Sequence, residues 1–184
     1  MKENEKNDLR IFSGAHAYYI HRDLYRITQV GERSMRLARL EYRLYEEGGD
    51  LPLLYYYEDI EREETALRFA CDYLVKDGKV YEKTSCAVEA GCYVIYVKPA
   101  EDERPMPWGK PALEGHRGMC MELREYRDTG DDYRLVHTFR FLDTLDAMLH
   151  LQANYLYVDG QEWYRSSAEI DEERETFVYY AVMT

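Results

Sequence analysis

The sequence predicts an α+β fold in which a β-β-α-β-β unit occurs twice, with mainly antiparallel sheet and one helix in each copy. The first observation is internal similarity: DYLVKDGKVYEKTS (72–85) resembles NYLYVDGQEWYRSS (154–167), 82 positions later. The second is the strand-like alternation of apolar and polar residues around these windows. The third is one short amphipathic segment before each window. Together they predict an internal duplication.

Two shorter matches flank the window at a slightly different spacing. The triplet EYR at 41–43 recurs at 125–127, and the pair at 93–94 resembles the pair at 177–178. Both matches are 84 positions apart, so the duplication implies a two-residue insertion or deletion on each side of the window.

The second copy predicts its strands most clearly. MCMELREYR (119–127) alternates apolar and polar residues, a turn signal follows, and YRLVHTFRF (133–141) predicts the returning strand of a hairpin. Two more strands are predicted at 161–170 and 176–182, which are rich in aromatic and β-branched residues.

Each copy is predicted to hold one helix. Asp143 is placed to cap the second helix, because its side chain can accept hydrogen bonds from free backbone N–H groups. The first helix begins with three carboxylates, Glu61, Glu63 and Glu64, which suit the positive end of a helix. The Asp-Gly pair at 77–78 is interpreted as a helix stop, and the pair at 159–160 is interpreted as closing or following the second helix. The predicted apolar stripes are Ala66, Leu67, Ala70, Cys71 and Leu74 in the first helix, and Leu145, Met148 and Leu149 in the second.

The segment 34–47 gives conflicting signals. It lacks β-branched residues and is rich in helix formers, so intrinsic propensity predicts a helix that ends at the Gly48-Gly49 pair. The match of 41–43 with a predicted strand of the second copy instead favours a strand, and we give the repeat the greater weight.

The domain organisation follows from the repeat and from proline usage. We predict a mobile N-terminus at 1–9, a first repeat with extra N-terminal strands at 10–98, a linker at 99–115, and a second repeat at 116–184. The linker holds four of the five prolines, and proline both fixes φ and removes a backbone donor. Its Trp108 either pins the linker to the protein or is exposed to a partner.

Charge and composition exclude several classes of partner. The net charge is −12, and the basic residues alternate with carboxylates, so neither nucleic acid nor an anionic membrane surface is an expected partner. The N-terminus carries no apolar stretch after its charges, and no segment has the length and hydropathy of a membrane span. The four cysteines form no CxxC pair. These observations predict a cytoplasmic protein.

No readable motif for catalysis, metal or cofactor binding is present. The chain has no GxSxG elbow, no GxGxxG or GK[ST] phosphate loop, and no histidine spacing that suits a metal. The carboxylates at 58–64 and 171–173 are interpreted as a helix start and a solvated turn rather than a catalytic pair. We therefore predict no catalytic residue, no metal and no cofactor, and an enzyme of unidentified class remains the third alternative.

Tyrosine is the compositional outlier, with 19 residues. Tyrosine offers a large contact area with few rotors and a polar tip, so it is favoured at interfaces. The first functional hypothesis is a non-enzymatic binding protein that engages a protein partner through an acidic, tyrosine-rich surface, as an immunity, antitoxin or regulatory protein would. Exposed strand edges near the N-terminus would also allow a homodimer.

The second hypothesis is a small-molecule-binding protein with a pocket between the two repeats, because pockets favour such junctions. The candidate ligand-binding residues are those that recur or replace one another in the two copies: Tyr42, Tyr126, Tyr81, Trp163, Glu41 and Glu125. Aromatic rings with nearby carboxylates would suit an organic cation.

Overall fold

The computed structural model describes residues 37–46, 48–111, 118–128 and 133–184, which belong to one unit that spans Leu37–Thr184. The predicted mobile N-terminus, the extra N-terminal strands and part of the linker lie outside the described residues. The domain boundaries given above therefore stay predictions.

The described residues form ten strands and two helices. Their order is β1 (Leu37–Leu44), β2 (Leu53–Glu61), α1 (Arg62–Ala70), β3 (Tyr73–Lys76), β4 (Lys79–Glu89), β5 (Cys92–Pro99), β6 (Met119–Glu125), β7 (Leu135–Phe141), α2 (Thr144–Gln152), β8 (Tyr155–Val158), β9 (Gln161–Asp171) and β10 (Thr176–Met183). We call β1–β5 with α1 the first half, and β6–β10 with α2 the second half.

All ten strands belong to one mixed sheet, and the two halves pair their strands in the same pattern. The order is β2-β1-β5-β4-β3-β9-β10-β6-β7, with β8 also on β9. In each half the first strand is antiparallel to the second and parallel to the last. The halves meet where β3 runs parallel to β9. Among the described pairings six are antiparallel and three parallel, so the sheet is mainly antiparallel, as predicted.

Each helix is followed by three strands rather than the two predicted. The additional strands are β3 and β8, and the Asp-Gly pairs after them are hairpin turns, not helix stops. Asp77 and Gly78 have φ of 52° and 70°, and Asp159 and Gly160 have φ of 51° and 77°. Positive φ at both central residues is what a type I′ turn requires, and Asp-Gly is a preferred sequence for it.

The strand pairings correct the match of residues 41–43 with residues 125–127. Glu41 pairs with Val94 in β1–β5, and Glu122 pairs with Val178 in β6–β10. Glu122, three positions before Glu125, therefore holds the structural position of Glu41. The 14-residue window that recurs 82 positions later, in contrast, agrees with the strand register of the two Asp-Gly hairpins.

The segment with conflicting signals is a strand between Leu37 and Leu44. Leu40 and Tyr42 are buried in the core, whereas Glu41 projects from the other face. Pairing with strands on both sides satisfies the backbone of β1, so tertiary context outweighs the helical propensity of its residues.

The two helices contact each other and pack on one face of the sheet, where they cover the hydrophobic core. Asp143 caps α2 as predicted, and its carboxylate accepts a hydrogen bond from the Leu145 N–H at 2.8 Å. The predicted stripes are only partly correct. Helix α1 ends at Ala70, so Leu74 is buried from β3, and Leu145 and Leu149 of α2 are exposed.

A buried ion network joins the halves on the helix side. Glu172 accepts hydrogen bonds from Tyr57, Arg68 and Lys76. Burial raises the pKa of Glu172, but the charge of Arg68 and the hydrogen bonds from Lys76 and Tyr57 outweigh it and leave the pKa below its ordinary value. Placing 171–173 in a solvated turn was therefore wrong for Glu172, and also for Asp171, which is buried.

Candidate functional site

The candidate site is a cavity of about 170 Å³ where the two halves meet, on the sheet face opposite the helices. We call it the junction cavity. The first half, the linker and the second half each contribute to its wall, through Tyr73, Val80, Glu103, Arg104, Met106, Tyr126, Tyr133, Ser166, Ser167, Glu169 and Tyr180.

The strand pairing at the junction builds the floor of the cavity. Tyr73 of β3 pairs with Glu169 of β9, and Ser167 of β9 pairs with Tyr180 of β10. Residues paired across neighbouring strands project from the same face, and alternate residues along a strand share that face. Because Ala168 and Ile170 point into the core, Glu169 and Ser167 must face the cavity.

Glu169 is the most unusual group in the cavity. It is only 8% exposed, and it accepts one long hydrogen bond, from the Tyr180 hydroxyl at 3.4 Å. Within the described part of the chain, no cationic side chain forms an ion pair with it. Burial raises the pKa of Glu169 to about 7, and the charge of Asp171 adds to this, against the opposing effects of Tyr180 and Arg174. Glu169 can therefore exchange a proton near neutral pH.

The linker forms the outer wall, and Trp108 fixes it to the sheet. The guanidinium carbon of Arg124 lies 3.4 Å from the centre of a Trp108 ring, and the rings of Tyr133 and Tyr180 pack beside it. Arg174 adds a hydrogen bond from its Nε to the Gly109 carbonyl at 3.1 Å. These contacts show that Trp108 pins the linker, which was one of the two alternatives drawn from the sequence.

A buried cluster of charges lies beneath the pinned linker. The Glu122 carboxylate accepts hydrogen bonds from Arg124 at 2.8 Å and from Arg174 at 2.7 Å. Asp171 lies 3.8 Å from Arg174 and accepts its backbone N–H at 3.1 Å. The two arginines next to the cavity are therefore already neutralised, and they leave Glu169 without an ion-pair partner.

Of the six ligand-binding residues predicted from the sequence, only Tyr126 lines the junction cavity. Tyr42, Tyr81 and Trp163 are buried on the opposite, helix-covered face of the sheet. Glu41 is held between Arg39 and Arg43, and Glu125 pairs with Arg127 and Arg134. The structure does not bring these six residues together.

Sequence reasoning missed Tyr73, Glu169, Tyr180 and the linker wall. Tyr73 lies inside the repeated window, but its neighbour Leu74 carries the core contact, so the window alone does not show which face matters. The sequence carried only a weak signal that Glu169 belongs to a site: it is a carboxylate within a predicted strand, between the apolar residues Ala168 and Ile170. Such a position faces away from the core.

A second, larger cavity of about 490 Å³ lies on the helix side. Its lining includes Glu64, Arg68 and Glu172, but Arg68 forms ion pairs with both of these carboxylates. It therefore offers less unsatisfied chemistry than the junction cavity does.

Among the described residues, no group of three His, Cys, Asp or Glu side chains is placed to hold a metal ion. Neither of the two described helices is long and apolar enough to cross a membrane. The comparisons with known proteins found no matching family model, no matching curated protein and no matching solved structure.

Proposed function

We propose that this chain is a cytoplasmic binding protein that holds a small molecule in the junction cavity. One observation carries the proposal: the buried carboxylate of Glu169, without an ion-pair partner in the described chain, faces a cavity lined by four tyrosines. Burying such a group is costly, and a ligand that satisfies it recovers that cost. Binding pockets are also favoured at junctions between subdomains.

The same proposal takes the two halves as copies of one ancestral unit. Their identical pairing pattern and their two Asp-Gly hairpins support this interpretation. Duplication would place the cavity on the junction of the copies, where only one half supplies Glu169. The site is then a property of the pair rather than of either copy.

Binding fits the cavity better than catalysis. Covalent catalysis needs a nucleophile hydrogen-bonded to a base. Within the described residues, the hydroxyls of Ser166 and Ser167 make no hydrogen bond to Glu169. The cavity therefore contains one group that can transfer a proton but no activated nucleophile.

Native mass spectrometry on protein purified gently from its source cells tests the proposal. We expect the intact chain to carry an additional mass of a few hundred daltons, and the variant Ser167→Trp to lose it, because the indole would fill the cavity. Ser85→Trp is the matched control, since Ser85 pairs with Tyr96 as Ser167 pairs with Tyr180, but lies outside the cavity. A bare wild-type chain, or an adduct that survives in Ser167→Trp, would contradict the proposal.

A second candidate function, binding of a basic protein partner, is favoured by exposed tyrosines on β8 and β9. Tyr157 is 74% exposed, and the rings of Tyr155 and Tyr164 lie 5.2 Å apart on the same face of the sheet. If this surface binds a partner, a companion mass in the kilodalton range should appear in the native spectrum. Changing Tyr155, Tyr157 and Tyr164 to Ser should remove it.

The matched control for this surface is the pair Tyr45→Ser and Tyr56→Ser, which removes two exposed tyrosines from the first half. We expect the control to keep the companion. Loss of the companion in both variants would indicate a general effect of tyrosine removal, and would count against this surface.

A further inference from the structure

We propose that the ligand of the junction cavity is a small organic monocation, whose ammonium group is bound by Glu169 and by the tyrosine rings around it. This inference rests on the proposed function, and it names the chemical class of the ligand.

The aromatic wall suits a cation. The rings of Tyr126 and Tyr133 are stacked with centroids 5.8 Å apart, and the ring of Tyr180 meets that of Tyr133 edge-on at 5.2 Å. Tyr73 completes the wall from the first half. A ring face carries partial negative charge, so several rings around one site attract an ammonium group, particularly one that has been removed from water.

The charges around Glu169 also favour a cation. Glu122 on β6 pairs with Arg124 and Arg174, and Asp171 on the same strand as Glu169 also pairs with Arg174, so the two carboxylates balance the two arginines. The linker contributes Glu103 and Arg104, which are both exposed and carry opposite charges, so they add no net charge to the cavity. Burial raises the pKa of Tyr73 and of Tyr180, so these two hydroxyls carry no charge near pH 7. What remains uncompensated is one buried carboxylate, so a single positive charge completes the site, whereas an anion would be repelled by Glu169.

A cation that binds Glu169 must displace its proton. Burial raises the pKa of Glu169 to about 7, so without a bound cation the carboxyl is about half protonated at pH 7. A bound ammonium group favours the ionised carboxylate. Binding should therefore release about half a proton at pH 7, and affinity should weaken about tenfold for each pH unit below 7 while changing little above it.

Isothermal titration calorimetry with paired probes tests the inference on the full chain. Choline and benzylammonium are the cations, and 3,3-dimethylbutan-1-ol and benzyl alcohol are neutral compounds of similar shape. At pH 8 we expect at least one cation to bind at least tenfold more tightly than its neutral partner. Titrations in two buffers of different ionisation enthalpy should show proton release at pH 7.

Glu169→Gln should lose cation affinity at least tenfold and should release no proton. The matched control is Glu101→Gln, which removes an exposed linker carboxylate that does not line the cavity and should change affinity less than threefold. The inference is overturned if the neutral probes bind as well as the cations, if Glu169→Gln binds cations normally, or if neither cation binds.

These outcomes can be separated from failure of the proposed function. If the native spectrum shows an adduct that Ser167→Trp removes, the cavity binds a small molecule whatever the calorimetry gives. In that case only the cationic class would be wrong.

Discussion

Replacing Glu169 with glutamine is expected to raise the free energy of unfolding at pH 8 by about 3 kcal/mol. Glutamine keeps the shape of the side chain but carries no charge that burial can penalise. In the wild type, burial raises the pKa of Glu169 from 4.5 to about 7, and each pKa unit corresponds to about 1.4 kcal/mol. A ligand-free binding site would thus be less stable than its neutral variant, which is the expected cost of keeping a carboxylate ready for a ligand.

The direction of the pH dependence follows from proton uptake. Between pH 4.5 and 7 the folded wild type keeps the Glu169 proton while the unfolded chain loses it, so stability falls as the pH rises through this range. Below pH 4.5 both states are protonated, and the wild type should then lie close to Glu169→Gln in stability. Urea denaturation of both proteins at pH 4 and pH 8 measures the difference.

Glu82→Gln is the control for this prediction, because it removes a more exposed carboxylate that pairs with Lys98 at 3.0 Å. We expect it to change stability by less than about 1 kcal/mol at pH 8, as is usual for a surface ion pair. If Glu169→Gln were less stable than the wild type at pH 8, the carboxylate would have a stabilising partner, and its role as an open ligand site would be wrong.

Replacing Glu122 with alanine is expected to lower the free energy of unfolding by about 3–5 kcal/mol, the usual cost of removing one partner from a buried ion pair. Glu122 alone compensates Arg124 and shares the compensation of Arg174 with Asp171. Both guanidinium groups are buried beneath Trp108 and cannot reach water without moving the linker. Urea denaturation at pH 7 is the appropriate measurement.

The chain contains a matched control for Glu122 in the other half. Glu41 has the same position in the strand register and is likewise held between two arginines, Arg39 and Arg43. The side chain of Arg39 is 38% exposed, however, whereas that of Arg124 is 8% exposed. Water can therefore solvate the arginines that Glu41→Ala leaves behind, and we expect a loss of about 1 kcal/mol. Equal losses in the two variants would show that burial of the cluster does not set its energy.

The repeated Asp-Gly window predicted that the two halves resemble each other, but its Asp-Gly pairs were wrongly interpreted as helix stops rather than as hairpin turns. Asp77-Gly78 and Asp159-Gly160 need only their own backbone conformation and their neighbouring strands to form the same hairpin twice. The strand β1 was harder to predict. Its residues favour a helix, and only pairing with β2 and β5, which are distant in sequence, makes it a strand.

The site was predicted only as a location. A pocket at the junction of the halves was an expectation from the internal similarity of the sequence. The candidate residues were chosen because they recur or replace one another in the two halves, and aromatic residues of this kind, such as Tyr81 and Trp163, lie in the core. Glu169 and the linker wall do not recur. Their importance depends on the parallel pairing of β3 with β9, which we call the seam, and on the position of the linker residues that line the cavity. Neither is encoded in a local sequence pattern.

The seam between β3 and β9 also sets the order in which the chain can fold. It joins Tyr73 to Glu169, which are 96 positions apart, whereas the parallel pairing within the first half joins Glu41 to Val94, 53 positions apart. Contacts between residues far apart in sequence carry the larger loop-closure cost and form later. During synthesis the first half emerges first and can complete its own ladders. The seam must wait for the second half, so we expect the cavity to close in the last step of folding.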